Sequence, residues 1–285
     1  MLPPHMSCKS QCPETNVPVH RTETTRMNSH NKRRLTATVV ALALIAAPSI
    51  WIGRQYHQQA LNIALIAAVK RSDAAAVDSL LASGANPNSR DTPTTHESVF
   101  QVLMQVLHPP APNTSPTALD TALLLREPDL TISHQTLAIV KLLLRKGADS
   151  NIRDTVGDTA VTELFYCNES VDTARVLETL LSAGGSTELK GASDMTPLAT
   201  AIQFYHASSV AVLLEHRARV ESDNPVCTPL MAACTYGQTS AVLALLDHGA
   251  DANPRPVQNE TPLSMARMQG YSNIIKLLVA HGADK

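Results

Sequence analysis

The chain has 285 residues, of which 44% are hydrophobic but only 3% aromatic, and its net charge is −2. Residues 1–60 hold Lys9, Arg21, Arg26, Lys32, Arg33, Arg34 and Arg54 against Glu14 and Glu23, which leaves 16 basic and 23 acidic residues in 61–285, a net of −7. The core must therefore be aliphatic, and the long acidic portion repels a phosphate backbone, which argues against nucleic-acid binding.

Residues 1–34 are polar, carry Pro3, Pro4, Pro13 and Pro18 and show no helical period, which predicts a disordered tail. Cys8 and Cys12 stand near His5 and His20, but the histidines lack the close pairing of a zinc finger, and a start at Met27 would remove these residues. Leu35 to Ile52 follows without a charge, 18 residues that would span about 27 Å as a helix. Lys32, Arg33 and Arg34 precede it, and Trp51 and Tyr56 stand at its far end. This pattern predicts a transmembrane signal anchor over 35–53, with the N-terminus cytoplasmic and the rest extracytoplasmic, periplasmic in a bacterium. The alternatives are a signal peptide cleaved near Ala41-Leu42-Ala43, giving a secreted protein, and a buried soluble helix.

After a short linker, 54–60, the chain repeats itself. Starts of a first helix align at Asn62, Thr121, Thr159, Thr196, Thr228 and Thr261, and ends of a second helix at Gly84, Gly147, Gly184, Arg217, Gly249 and Gly282. Thr can cap a helix N-terminus through its hydroxyl, and Pro suits the next position because its missing amide hydrogen has no helical partner. Leu pairs such as Leu180-Leu181 and Leu277-Leu278 supply an apolar face. Gly then takes the left-handed cap, so Arg217 predicts a different turn in the fourth copy.

Thr196-Pro197-Leu198, Thr228-Pro229-Leu230 and Thr261-Pro262-Leu263, together with Gly147-Ala148-Asp149, Gly249-Ala250-Asp251 and Gly282-Ala283-Asp284, resemble the ankyrin repeat family. The resemblance covers roughly 61–285. It implies an all-α solenoid of about six helix pairs with β-turn fingers, here behind one transmembrane helix: repeat one at 61–91, repeats two to six at 118–285. An insertion, 92–117, lies between them, with an amphipathic helix over Glu97–His108 and a Pro-rich return. In another register that helix opens repeat two.

No phosphate-cradling glycine loop and no spaced metal-ligand set occurs in the sequence, so no enzyme activity, cofactor or metal is expected. His248 and His281 fall in last helical turns, where they can bond terminal carbonyls. The cysteines read as buried thiols, because Cys227 and Cys234 would stand roughly 10 Å apart along a helix. The resemblance implies a scaffold that binds a protein partner through a concave face and fingers. The finger residues proposed for contact are Asn88, Arg90, Arg153, Asp154, Glu188, Lys190, Asp194, Glu221, Asp223, Arg255, Gln258 and Glu260. A second expectation is a cell-envelope accessory protein supporting a redox or stress enzyme, motivated by Cys167, Cys227 and Cys234.

Overall fold

A computed structural model describes residues 29–91, 115–125, 131–222, 227–254 and 260–284, with side chains from Ile50 onward. The chain divides into two units, Met1–Gly53 and Arg54–Lys285. The first is helical from Ser29, where α1 (Ser29–Lys70) begins. The segment proposed to cross a membrane, 35–53, falls mostly outside the residues whose side chains are described. Among the described residues no helix is long and apolar enough to cross a membrane.

The second unit is built of helix pairs. The last turns of α1 are followed by α2 (Ala74–Ala82), and then come α3 (Ala118–Leu124) with α4 (His134–Arg145). Next is α5 (Ala160–Glu163), extended by a 3-10 turn over Leu164–Tyr166, paired with α6 (Val171–Ser182). The remaining pairs are α7 (Pro197–Gln203) with α8 (Ala207–Glu215), α9 (Pro229–Thr235) with α10 (Thr239–Asp247), and α11 (Pro262–Gln269) with α12 (Ser272–Ala280). From α3 onward each first helix packs on the next first helix, and from α2 onward each second helix packs on the next second helix. The result is two helical layers around one aliphatic core running from Leu65 to Ala283. No pair could cover its apolar face alone; stacking does it.

The local chemistry explains the helix starts. Thr159, Thr196, Thr228 and Thr261 sit in extended backbone and accept a hydrogen bond from the amide three residues on. Pro197, Pro229 and Pro262 occupy the first turn of their helices. Repeat two departs from the sequence alignment: its cap is Thr117, four residues before Thr121, and Asp120 completes a reciprocal box by accepting from the Thr117 amide at 2.9 Å. Thr121 instead lies inside the helix, its hydroxyl donating to the Thr117 carbonyl. Asn62 starts no helix either, because α1 runs through it.

The insertion is closed at its neck. The Asp91 amide donates to the Pro116 carbonyl and the Ala118 amide to the Ser89 carbonyl, both at 2.9 Å, forming an isolated antiparallel bridge between Arg90 and Thr117. The residues proposed for the inserted helix, Glu97–His108, lie outside the described residues.

Left-handed turns follow the second helices at Gly84, Gly147, Gly184, Gly249 and Gly282, and Arg217 adopts the same geometry with φ +64°. Its turn is therefore not a different one, contrary to the expectation from sequence. The Ala218 amide still donates to the Leu213 carbonyl, as Ala250 does to Leu245, so the neighbouring repeats impose the cap and the side chain tolerates it.

Consecutive turns are tied by a ladder of side chains. Asn88, Asn151 and Asn253 accept from the amides of Asp149, Ser186 and Asp284 and donate to the carbonyls of Gly147, Gly184 and Gly282. At the two intervening junctions Glu188 accepts from Arg219 and Glu221 from Asp251, each at 2.9 Å. The first turn has no preceding repeat, and α1 supplies both atoms instead: Gln58 donates to the Gly84 carbonyl and Asn62 accepts from the Asn86 amide.

Candidate interaction groove

The fingers and first helices of repeats four and five enclose a groove of about 360 Å³. Its finger wall carries Glu188, Lys190, Asp194, Met195, Arg219, Glu221 and Cys227; its helical floor carries Ala199, Gln203, Ala232 and Tyr236. Ala199 and Ala232 are half-buried on this floor.

The proposed contact residues divide by location. Glu188, Lys190, Asp194 and Glu221 come together on this groove. Glu188 and Glu221 each give one carboxylate oxygen to the ladder, and Lys190 pairs with Asp194 at 3.4 Å. Asn88 is a ladder residue of the first junction. Arg90 donates to the carbonyls of Ser115 and Arg153, and Arg153 donates to the Gly157 carbonyl, so both arginines brace fingers. Asp154 Oδ1 accepts from the amides of Val156, Gly157 and Asp158, each at 2.9 Å. Glu260 is exposed. Asp223, Arg255 and Gln258 lie outside the described residues.

Sequence reasoning passed over an aromatic strip along the same face. Tyr166 and Phe204 meet edge to face with ring centroids 5.1 Å apart, and Tyr205 and Tyr236 lie tilted at 5.7 Å. Phe204 and Tyr205 thus reach from one repeat to both neighbours. Their signal was available: Phe204 and Tyr236 close their first helices at the same position of the repeat. The Tyr166 hydroxyl donates to Asp158 at 3.2 Å; burial, and after it the nearby Asp158 charge, pushes its pKa up.

Cys227 is exposed, against the expectation that the cysteines would be buried, because it precedes the cap Thr228 instead of facing the core. Cys167 and Cys234 are buried, and burial pushes the Cys234 thiol up to about 12. His206 is wholly buried, its Nε2 within 3.1 Å of the Phe165 carbonyl and 2.9 Å of the Cys167 carbonyl, so it links repeat four to repeat three. Gln238 makes the equivalent link in the following repeat, donating to the Ile202 carbonyl. His248 and His281 bond the carbonyls of Ala244 and Leu277, each at 2.8 Å, and hold their own helix ends. Among the described residues no three His, Cys, Asp or Glu side chains gather where they could hold a metal ion.

The comparisons agree with this architecture. Residues 220–285 match a family model described as ankyrin repeats in three copies. The putative ankyrin repeat protein YahD of Escherichia coli is 31% identical over 159 residues, covering 53% of this chain and 76% of that protein. The putative ankyrin repeat protein FPV031 of fowlpox virus is 30% identical over 150 residues, covering 50% of this chain and 43% of its own, so the match spans less than half of that relative. An ankyrin repeat domain from Acinetobacter baumannii, known from a crystal structure, superposes with a TM-score of 0.59 at 23% identity over 77% of this chain and 98% of that one.

Proposed function

The chain belongs to the ankyrin-repeat family, and from that premise we propose that it is a non-catalytic scaffold whose fingers and first helices grip a protein partner. The observation that carries this is the groove on repeats four and five, where four finger residues singled out by sequence converge beside Ala199, Gln203, Ala232 and Tyr236 of the first helices. A concave surface with fixed polar groups is what a partner segment needs. Two of the four, Glu188 and Glu221, also hold the stack, so reversing them tests stability as much as binding. The cleaner probes are Lys190→Glu and Glu260→Lys together with a photo-crosslinking residue at Gln203, which is exposed on the groove floor. A specific adduct from Gln203 that is absent from an equivalent probe at Lys276, and changed in yield by the charge variants, supports the reading. Indistinguishable adducts from the two positions would remove it.

Residues 35–53 hold this scaffold at a membrane in our reading, with the repeats on the extracytoplasmic side. What supports this is the uncharged run Leu35–Ile52, the basic flank Lys32-Arg33-Arg34 and the helical course of Ser29–Lys70. Protease protection in intact cells, with tags at both ends, tests it. Digestion of a C-terminal tag by external protease, with an N-terminal tag protected, is the expected result; protection of both tags, or release of the repeats into the medium, would overturn it.

A further inference from the structure

The chain holds three Phe, one Trp and five Tyr, yet four of these rings line up at the ends of the first helices of repeats three to five. Three of them face solvent: Phe204 is 42% exposed, Tyr205 57% and Tyr236 39%. The aliphatic core does not need them. Nor does the backbone ask for Tyr205, which sits at φ +65° where the next two repeats have Gly237 at +71° and Gly270 at +74°. A side chain in this left-handed region is strained, and glycine is the residue that fits it. An aromatic ring is kept outside the core at a position that opposes it.

The surroundings say which chemistry suits these rings. Tyr236 lines the groove together with Glu188, Asp194 and Glu221. Of the groove's two cations, Lys190 is already paired with Asp194. From Thr159 to the end the sequence has thirteen acidic and eight basic residues. A ring face is electronegative and attracts a cation, and a planar guanidinium stacks on it as a compact ammonium does not. Carboxylates in the same groove add attraction of the same sign.

We propose that this strip and the adjoining groove bind an arginine-rich extended segment of a partner protein, with guanidinium groups stacked on Tyr205 and Tyr236. The assignment rests on the scaffold reading and names the partner's chemistry. Arginine, more than lysine, is the discriminating residue. Tyr205 is retained for contact with the partner and not for the fold.

The test uses the full chain and fluorescein-labelled peptides of alternating Arg and Gly, Lys and Gly, or Leu and Gly, titrated by anisotropy at physiological salt. The Arg peptide is expected to bind about tenfold tighter than the Lys peptide, which corresponds to one stacked guanidinium. The double variant Tyr205→Leu with Tyr236→Leu keeps the charge and abolishes the preference, whereas Tyr205→Phe keeps it. Tyr205→Gly gives the turn the residue of its neighbours, so it melts no lower than the parent while losing Arg-peptide affinity. Equal binding of Arg and Lys peptides, tighter binding of the Leu peptide, or self-association that the Leu variants abolish would each overturn the proposal. A Tyr205→Gly protein that melts well below the parent would do the same, by assigning the ring to packing. Where the double variant does not fold, the single Phe and Gly variants decide. A specific Gln203 adduct without Arg-peptide binding leaves the scaffold and removes the arginine assignment; Arg-peptide binding with no specific Gln203 adduct removes the scaffold.

Discussion

Asn151 holds the turn at Gly184 with both ends of its amide, donating to the glycine carbonyl at 2.9 Å while accepting from the Ser186 amide at 2.8 Å. An amide can do both; the carboxylates of Glu188 and Glu221 at the next two junctions can only accept. Among the described residues, these ladder side chains therefore give two bonds per junction near the ends of the stack, while Glu188 and Glu221 each give one in its middle.

Asn151→Ala removes both bonds and is expected to cost about 1–2 kcal/mol, on the usual net worth of a hydrogen bond. Asn151→Glu, which copies the middle junctions, should cost about half as much. Urea melts of the variants measure the difference, and hydrogen exchange should quicken first at Ser186. A neutral Asn151→Ala would mean that the ladder follows the stacking without stabilising it.

Arg217 points the other way. It is exposed and holds φ +64° where five other repeats carry glycine. Replacing it by glycine should stabilise the fold by about 1 kcal/mol, the steric cost of a left-handed non-glycine residue. Thermal melting would read this as a rise of a few degrees, and a fall would show that the arginine side chain contributes more than its backbone strain costs.

Acid should loosen the junction between repeats three and four. His206 is buried with Nε2 against two carbonyls, and burial, only partly opposed by the Glu169 charge, lowers its pKa below the ordinary 6.5. The unfolded chain then takes up a proton before the folded one, so this residue's contribution is fully present above pH 6.5 and is lost as the pH falls through the lowered folded value. His206→Gln, the residue of the following repeat at this position, keeps a donor and cannot titrate. The slope of stability against pH between 7 and 5 should flatten in that variant, and an unchanged slope would place the titration elsewhere.

Thiol chemistry separates the cysteines. A maleimide should modify Cys227 quickly in the native protein, while Cys234, pushed up to about 12 by burial, and buried Cys167 wait for unfolding. Mass mapping of the labelled peptides gives the order. Fast labelling of Cys234 would mean that repeat five opens readily. Among the described cysteines, Cys227 is the exposed one, and it lines the groove.

Local chemistry made much of the fold legible. Thr159, Thr196, Thr228 and Thr261 cap their helices through neighbours three residues away, so the sequence contains the whole interaction. Thr117 and Thr121 differ by about one helical turn and carry the same hydroxyl; pairing with Ser89 across the insertion decides between them. That contact is invisible without the fold. Arg217 misled for a related reason, since intrinsic preference is local and the imposed turn is not. Glu188 and Glu221 read from the sequence as finger residues for partner contact, but the amides whose hydrogen bonds they accept lie 31 and 30 residues further on. The aromatic strip showed in the sequence only as Phe204 and Tyr236 at one repeat position, and it went unread because the rings that meet belong to different repeats.

The bridge between Ser89–Asp91 and Ser115–Ala118 has a consequence for what the chain can carry. Backbone pairing shuts the excursion at its base, so repeat two stacks on repeat one whatever lies beyond. Loop-closure entropy rises only slowly with length, about 0.6 kcal/mol per doubling. The site between Asp91 and Ser115 is thus a socket for foreign sequence: an epitope, a protease site or a fluorescent reporter could be grafted there with the array on either side left in register.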